Sequence, residues 1–188
     1  INQENGHSGT LTQGHRFGVR LEHKFSENTS ILFEPQVNFG GGNFNEHSEF
    51  MTQRAFEGDT TKTNTGFTDN KGANKNWSTS GFFLFRQKLG KPGRTISANI
   101  RYSFSNNDMN SYNQSLTSTD QDMDMVWEND IVNQRIAQNS KGSSIRGRVV
   151  YTEPLGKDLF LEANYQYGWS RSTSEKNAFN SGNIDDVI

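Results

Sequence analysis

The residues most able to do chemistry in this sequence are an acidic run, four histidines and two glycine-rich stretches. The run "DQDMD" at 120–124 has the Asp-x-Asp-x-Asp start of a calcium loop. Such a loop needs glycine at its sixth position and glutamate at its twelfth, and Met125 and Ile131 stand there instead. The run is therefore expected to be a solvated acidic loop, with Glu128 and Asp130 close enough to leave a calcium site open. His7, His15, His23 and His47 are scattered. His15 and His23 share a parity but lie ~26 Å apart along a strand, too far to hold one metal. "FGGGNF" at 39–44 lacks the spacing of a dinucleotide loop and is followed by no helix. Its glycines suit a bulge or bend. "GKPGRT" is a turn without the spacing of a phosphate loop. No acid–base pair, nucleophile elbow or catalytic triad is legible. The expectation is a protein that is not an enzyme, with no catalytic residue, no metal, no cofactor and a ligand-binding site whose residues are unknown.

The composition narrows the class. Apolar residues make up 30% of the 188, below globular usage even when the 18 glycines are added. Mean hydropathy is −0.87. Disorder is the first reading of such numbers, but the net charge is only −2 and aromatics reach 12%, with 14 phenylalanines. No Lys/Arg-rich run offers a footprint for nucleic acid. The absence of cysteine excludes disulfides and thiolate metal sites and suits an exported protein. No stretch approaches the ~18 apolar residues of a membrane helix. The polar start "INQENGHSGT" and the end "DDVI" point to an interior piece of a longer protein.

The elements that carry these residues are strands. Only 124–138 hints at a helix, and Val126, Ile131 and Ile136 do not hold a clean spacing. Period-two alternation dominates in six segments. In the first, about 12–25, Phe17, Val19, Leu21, His23 and Phe25 oppose Arg16, Arg20, Glu22 and Lys24. In the second, from Ser30, Ile31, Phe33, Pro35, Val37 and Phe39 oppose Glu34, Gln36 and Asn38. Phe83, Phe85 and Leu89 oppose Arg86 and Lys88 in the third, about 76–89. Ile96, Ala98, Ile100, Tyr102 and Phe104 form one face of the fourth, with Arg101 on the other. The fifth, about 143–155, sets Ile145, Val149 and Tyr151 against Arg146 and Arg148. The sixth sets Leu161, Ala163, Tyr165, Tyr167 and Trp169 against Glu162, Asn164 and Gln166.

Three short connections, "SENT" (26–29), "GKPGR" (90–94) and "GKD" (156–158), have the residues of tight reversals. Their centres recur about every 65 residues, a repeat of hairpins. The stretches between them are polar. The sequence thus predicts an all-β antiparallel meander of about six long strands. Its hairpins span about 12–39, 76–105 and 143–172, and long loops span about 40–75 and 106–141. Pro35 and Pro154, each after a glutamate, are expected at bulges.

Alternation arises in a soluble sheet, apolar side inward, and in a membrane barrel, apolar side outward. Strand runs of ten or more, short turns alternating with long excursions, and aromatics toward the ends of apolar runs favour the barrel. Mid-strand Arg86, Arg101, Arg146, Arg148 and Glu162 also suit a wet lumen better than a dry core. Six strands fall short of the ~8 of the smallest barrels, so the expected object, 1–188, is a segment of a larger transmembrane β-barrel. The alternative is a soluble or surface-exposed β-sheet binding module of adhesin or carbohydrate-binding type.

"SIRGRVV" followed by "YTEPLGKDLFLEANYQYGWSRS", together with "FRQKLGKPGRTISANIRYSFSNN", resembles the barrel region of Bacteroidetes outer-membrane proteins of the TonB-dependent receptor type. "HRFGVRLEHKFSENTSILFEPQVNF" is similar to the hairpin upstream of these. The resemblance covers about residues 12–180 and is specific in the three hairpins. It implies an outer-membrane location, roughly twenty-two strands in all, a plug domain and energised uptake of a bulky extracellular ligand. The partners it implies are the lipid bilayer, the rest of the barrel, a plug outside this chain and that ligand.

Overall fold

The computed structural model describes residues 1–56, 59–120 and 126–180. Every element in it is a strand: β1 (Asn2–Gly18), β2 (Leu21–Lys24), β3 (Thr29–Phe56), β4 (Asp59–Lys88), β5 (Thr95–Thr119), β6 (Glu128–Pro154) and β7 (Phe160–Asn180). They form one antiparallel sheet in the order β1-β3-β4-β5-β6-β7, with β2 pairing β3 in continuation of β1. The sheet is an open meander with β1/β2 at one edge and β7 at the other.

The three tight turns fall where the sequence puts them. Ser26 caps the first by accepting from the backbone N–H groups of Asn28 (3.2 Å) and Thr29 (3.1 Å). In the second, Gly90 (φ 49°) and Gly93 (φ 86°) take the left-handed conformation that L side chains avoid. The third closes with the Leu155 N–H donating to the Leu159 carbonyl at 2.8 Å.

Where the described residues cover the expected long loops, they are almost entirely strand. Residues 40–56 continue β3, 59–75 belong to β4, 106–119 to β5 and 128–141 to β6. The antiparallel ladder runs on through them, with one register shift, between Thr52 and Gln53. Where neither face is apolar, alternation fades, yet the backbone groups still pair, and pairing is what makes a strand. The helix-like stretch is likewise strand from Glu128 onward.

Two further expectations are corrected. The register through Pro35 is unshifted, so no bulge forms there. The missing proline N–H instead interrupts the other side of the ladder. The β1–β2 break at Val19–Arg20 lies beside Glu34 and Pro35, and only the Val19 N–H bonds to the Pro35 carbonyl, at 3.0 Å. Pro154 simply ends β6. No register shift marks Gly40, Gly41 and Gly42 either. At each, a Cβ would collide with a carbonyl oxygen of a neighbouring strand, from Gln13, Asn74 and Leu11 respectively, so these glycines allow close backbone approach.

There is almost no interior. Among the described residues Leu32, 8% exposed, is the one buried hydrophobic side chain. A lone sheet of this size has nothing of its own to cover its apolar face.

Candidate functional site: the two faces beside the tight turns

Residues directly opposite in an antiparallel ladder share a face. The register therefore sorts every side chain. Nearest the turns, one row reads Thr29, Gln87, Ile96, Tyr151, Ala163. The next same-face rows are His23–Ile31–Phe85–Ala98–Val149–Tyr165, then Leu21–Phe33–Phe83–Ile100–Gly147–Tyr167. Pro35–Gly81–Tyr102–Ile145–Trp169 follows, then Phe17–Val37–Thr79–Phe104–Ser143–Arg171. His15–Phe39–Trp77–Asn106–Lys141–Thr173 closes the series. Beyond it the same face turns polar, with Lys75, Asp108, Asn139 and Glu175 in one row.

From Thr29 to Phe39 is about 33 Å of strand, or about 25 Å once a tilt of ~40° is allowed. That is the height of a barrel's apolar band. Its members are uncovered: Ile100 is 47% and Tyr167 62% exposed. A soluble module would bury them. Aromatics gather at the far margin, where Phe39 and Trp77 share a row and Phe17 stacks on Phe39 at 5.9 Å. Tyr151 lies in the row nearest the turns. Tyr167, in contrast, sits toward the middle of the band. Tyr102 lies flat over Gly81, where a Cβ would come within 2.5 Å of its ring.

The opposite face is wet. Over the same height it carries Arg16, Arg20, Lys24, Arg86, Arg101, Arg146 and Arg148 against Glu22, Glu34 and Glu162. It is also concave around an open hollow of about 690 Å³ lined by Gln36, Ser80, Phe82, Arg101, Arg146 and Gln166 among others. Of the five mid-strand charges singled out in the sequence, Arg101 and Arg146 are brought directly opposite one another. The Arg101 guanidinium lies 4.9 Å from the centre of the Phe82 ring, a contact the alternation pattern does not reveal. Arg148 approaches Glu162 at 4.0 Å. Arg86 is apart from them, opposite Ser97.

Other candidates separate. At the turn end, Arg94 donates two hydrogen bonds of 2.7 Å to Glu153, Tyr151 a third of 2.5 Å, and Lys91 a longer one. The Arg94 guanidinium first, and the Tyr151 hydroxyl next, hold the Glu153 carboxyl down at about 2. This cluster ties the β4–β5 turn to the end of β6. In the far half, His47 contacts Asp69 at 2.6 Å and Glu49 at 3.4 Å. The Asp69 hydrogen bond raises its pKa above the usual value. His7 lies beside it, with ring centres 5.4 Å apart, whereas His15 packs at a tilt against Phe39 and His23 meets Phe25 edge to face. No group of metal ligands forms among the described residues. In the acidic run, 121–125 lie outside the described residues.

A model of the outer membrane protein beta-barrel family matches residues 87–187, more than half of the chain. The chain belongs to that family. No curated protein matches it. Family membership places this protein in the outer membrane, with the bilayer as partner of the apolar band. In the barrel, the concave cationic face is the luminal one, because an outward-curving sheet presents its convex side to lipid.

Proposed function

We propose that the chain is a stretch of wall of an outer-membrane receptor or transporter, of the TonB-dependent type that its hairpins resemble. The rest of the barrel and a plug would complete it. The luminal face would bind or pass an extracellular ligand. One observation carries this reading: a concave, cationic, solvent-facing surface lies directly behind a lipid-height apolar band. The strands that run on past that band support it. β5 has 25 residues, while a membrane strand needs ~9–11. The surplus rises as paired hairpins on the side away from the tight turns. With short turns in the periplasm, those hairpins stand outside the cell, where a ligand first arrives.

The test is accessibility in cells. The sequence has no cysteine, so Ser103→Cys and Ser144→Cys place single thiols on the luminal face. Both should react with a small membrane-impermeant maleimide added from outside. Luminal thiols that stay unreactive, while an Asn110→Cys thiol in the outer hairpin reacts, would overturn the receptor or transport reading.

A further inference from the structure

We propose that Arg101 and Arg146, with the charge of Arg148 nearby, form a luminal site for a small anionic solute, one bearing a phosphate or carboxylate group. The inference rests on the luminal assignment above and names the chemistry that the lumen selects.

Three observations lead to it. First, Arg101 and Arg146 stand directly opposite in the ladder, and like charges so placed repel. Neither has an ion pair among the described residues. The nearest luminal acid in their row, Glu34, already pairs with Arg20. Second, Arg148, two residues along the same face, meets one carboxylate, Glu162, only at 4.0 Å and through a terminal nitrogen. Its Nε is enclosed, with no hydrogen-bond partner among the described residues, so its charge adds to the positive field beside the hollow without being neutralised at short range. Third, the hollow beside Arg101 and Arg146 is edged by Ser80, Ser103, Ser144 and Gln166, which can donate to the remaining oxygens of such a group.

The guanidinium suits this task. Its fixed fork of donors matches the two oxygens of a carboxylate or phosphate. Phe82 holds the Arg101 fork from one side, at 4.9 Å, and so restricts its orientation before any ligand arrives. On the other side Arg146 runs over Gly168, where a Cβ would lie 3.8 Å from its Nε.

The experiment is a titration of the intact protein, in neutral detergent at fixed ionic strength, with inorganic pyrophosphate followed calorimetrically. Saturable binding is expected, weakened tenfold or more by the double change R101Q/R146Q. R101K/R146K keeps the charge but loses the forks, and should fall between. The control K141Q/R171Q removes two charges from the opposite face and should change affinity less than twofold. Absence of saturable binding overturns the proposal, including the case in which a carboxylate of the protein already fills the site. Equal losses in R101Q/R146Q and K141Q/R171Q overturn it too, since they would reveal only a general field. Thiol labelling at Ser103→Cys separates the two readings: reactive thiols without pyrophosphate binding leave the lumen in place and remove only the anion site.

Discussion

The half of the sheet beside the tight turns and the half beyond Phe39 and Trp77 share strands, ladder and register, yet differ in what their side chains face. Beside the turns, one face meets lipid and the other water, so the two faces carry opposite chemistry: Ile100 next to Arg101, Tyr165 next to Asn164. Beyond Trp77, both faces meet water. Asn, Ser and Thr then serve on either side, as in "SNNDMNSYNQSLTST". The backbone ladder alone is enough to continue a strand; a lipid partner is what imposes alternation on it.

The sharpest way to break this comparison is one arginine at two heights. Ile100 and Asn110 lie on the same face of β5, about 33 Å apart along it. Ile100→Arg should destabilise the folded protein in lipid by about 2–4 kcal/mol, the cost of arginine near the bilayer midplane. Urea unfolding from vesicles measures it. Next in size comes Gly81→Val, whose branched side chain would displace the Tyr102 ring and cost about 1–3 kcal/mol by overpacking. The variant Gly81→Val/Tyr102→Ala should recover part of that loss.

A smaller effect is expected at the turn end. Glu153 has a folded pKa of about 2, below the ordinary carboxylate value of 4.5. Its bonds to Arg94 and Tyr151 therefore stabilise the fold fully above about pH 4.5. That contribution is lost as the pH falls toward 2. Glu153→Gln should lower stability at pH 6 and leave a shallower fall between pH 5 and pH 3 than in the parent. The smallest effect is expected for Asn110→Arg, within about 0.5 kcal/mol of the parent, as for other surface changes. A cost at Asn110 like that at Ile100 would mean that the far half is also covered.

How much of this was legible follows from the same contrast. The three turns were readable because Gly90, Gly93 and the Ser26 cap are local requirements. They also set registers. Phe82 faces Arg101 because their pairing is centred on the turn between Lys91 and Pro92, and Gly147 faces Tyr167 about a centre at Lys157. The apolar faces were readable from parity. The far halves of β3 to β6 were not, since solvent on both faces erases the signal. Nor was the meeting of Arg101 and Arg146, because β5 and β6 are joined at the far end by a connection whose length the sequence pattern does not fix. The β1–β2 break was hidden for another reason: Pro35 disturbs its neighbour's ladder and leaves its own alternation intact.

The central claim is that the apolar face beside the turns is a lipid face and that it ends near Trp77. Nitroxide labels on single cysteines at Ile100, Asn99 and Asn110, in the intact protein in bilayers, test it most directly. Collision with oxygen, which concentrates in lipid, is compared with collision with a water-soluble nickel chelate. Position 100 should favour oxygen, and positions 99 and 110 the chelate. A label at 99 that favours oxygen, or one at 110 that behaves like 100, would contradict the account.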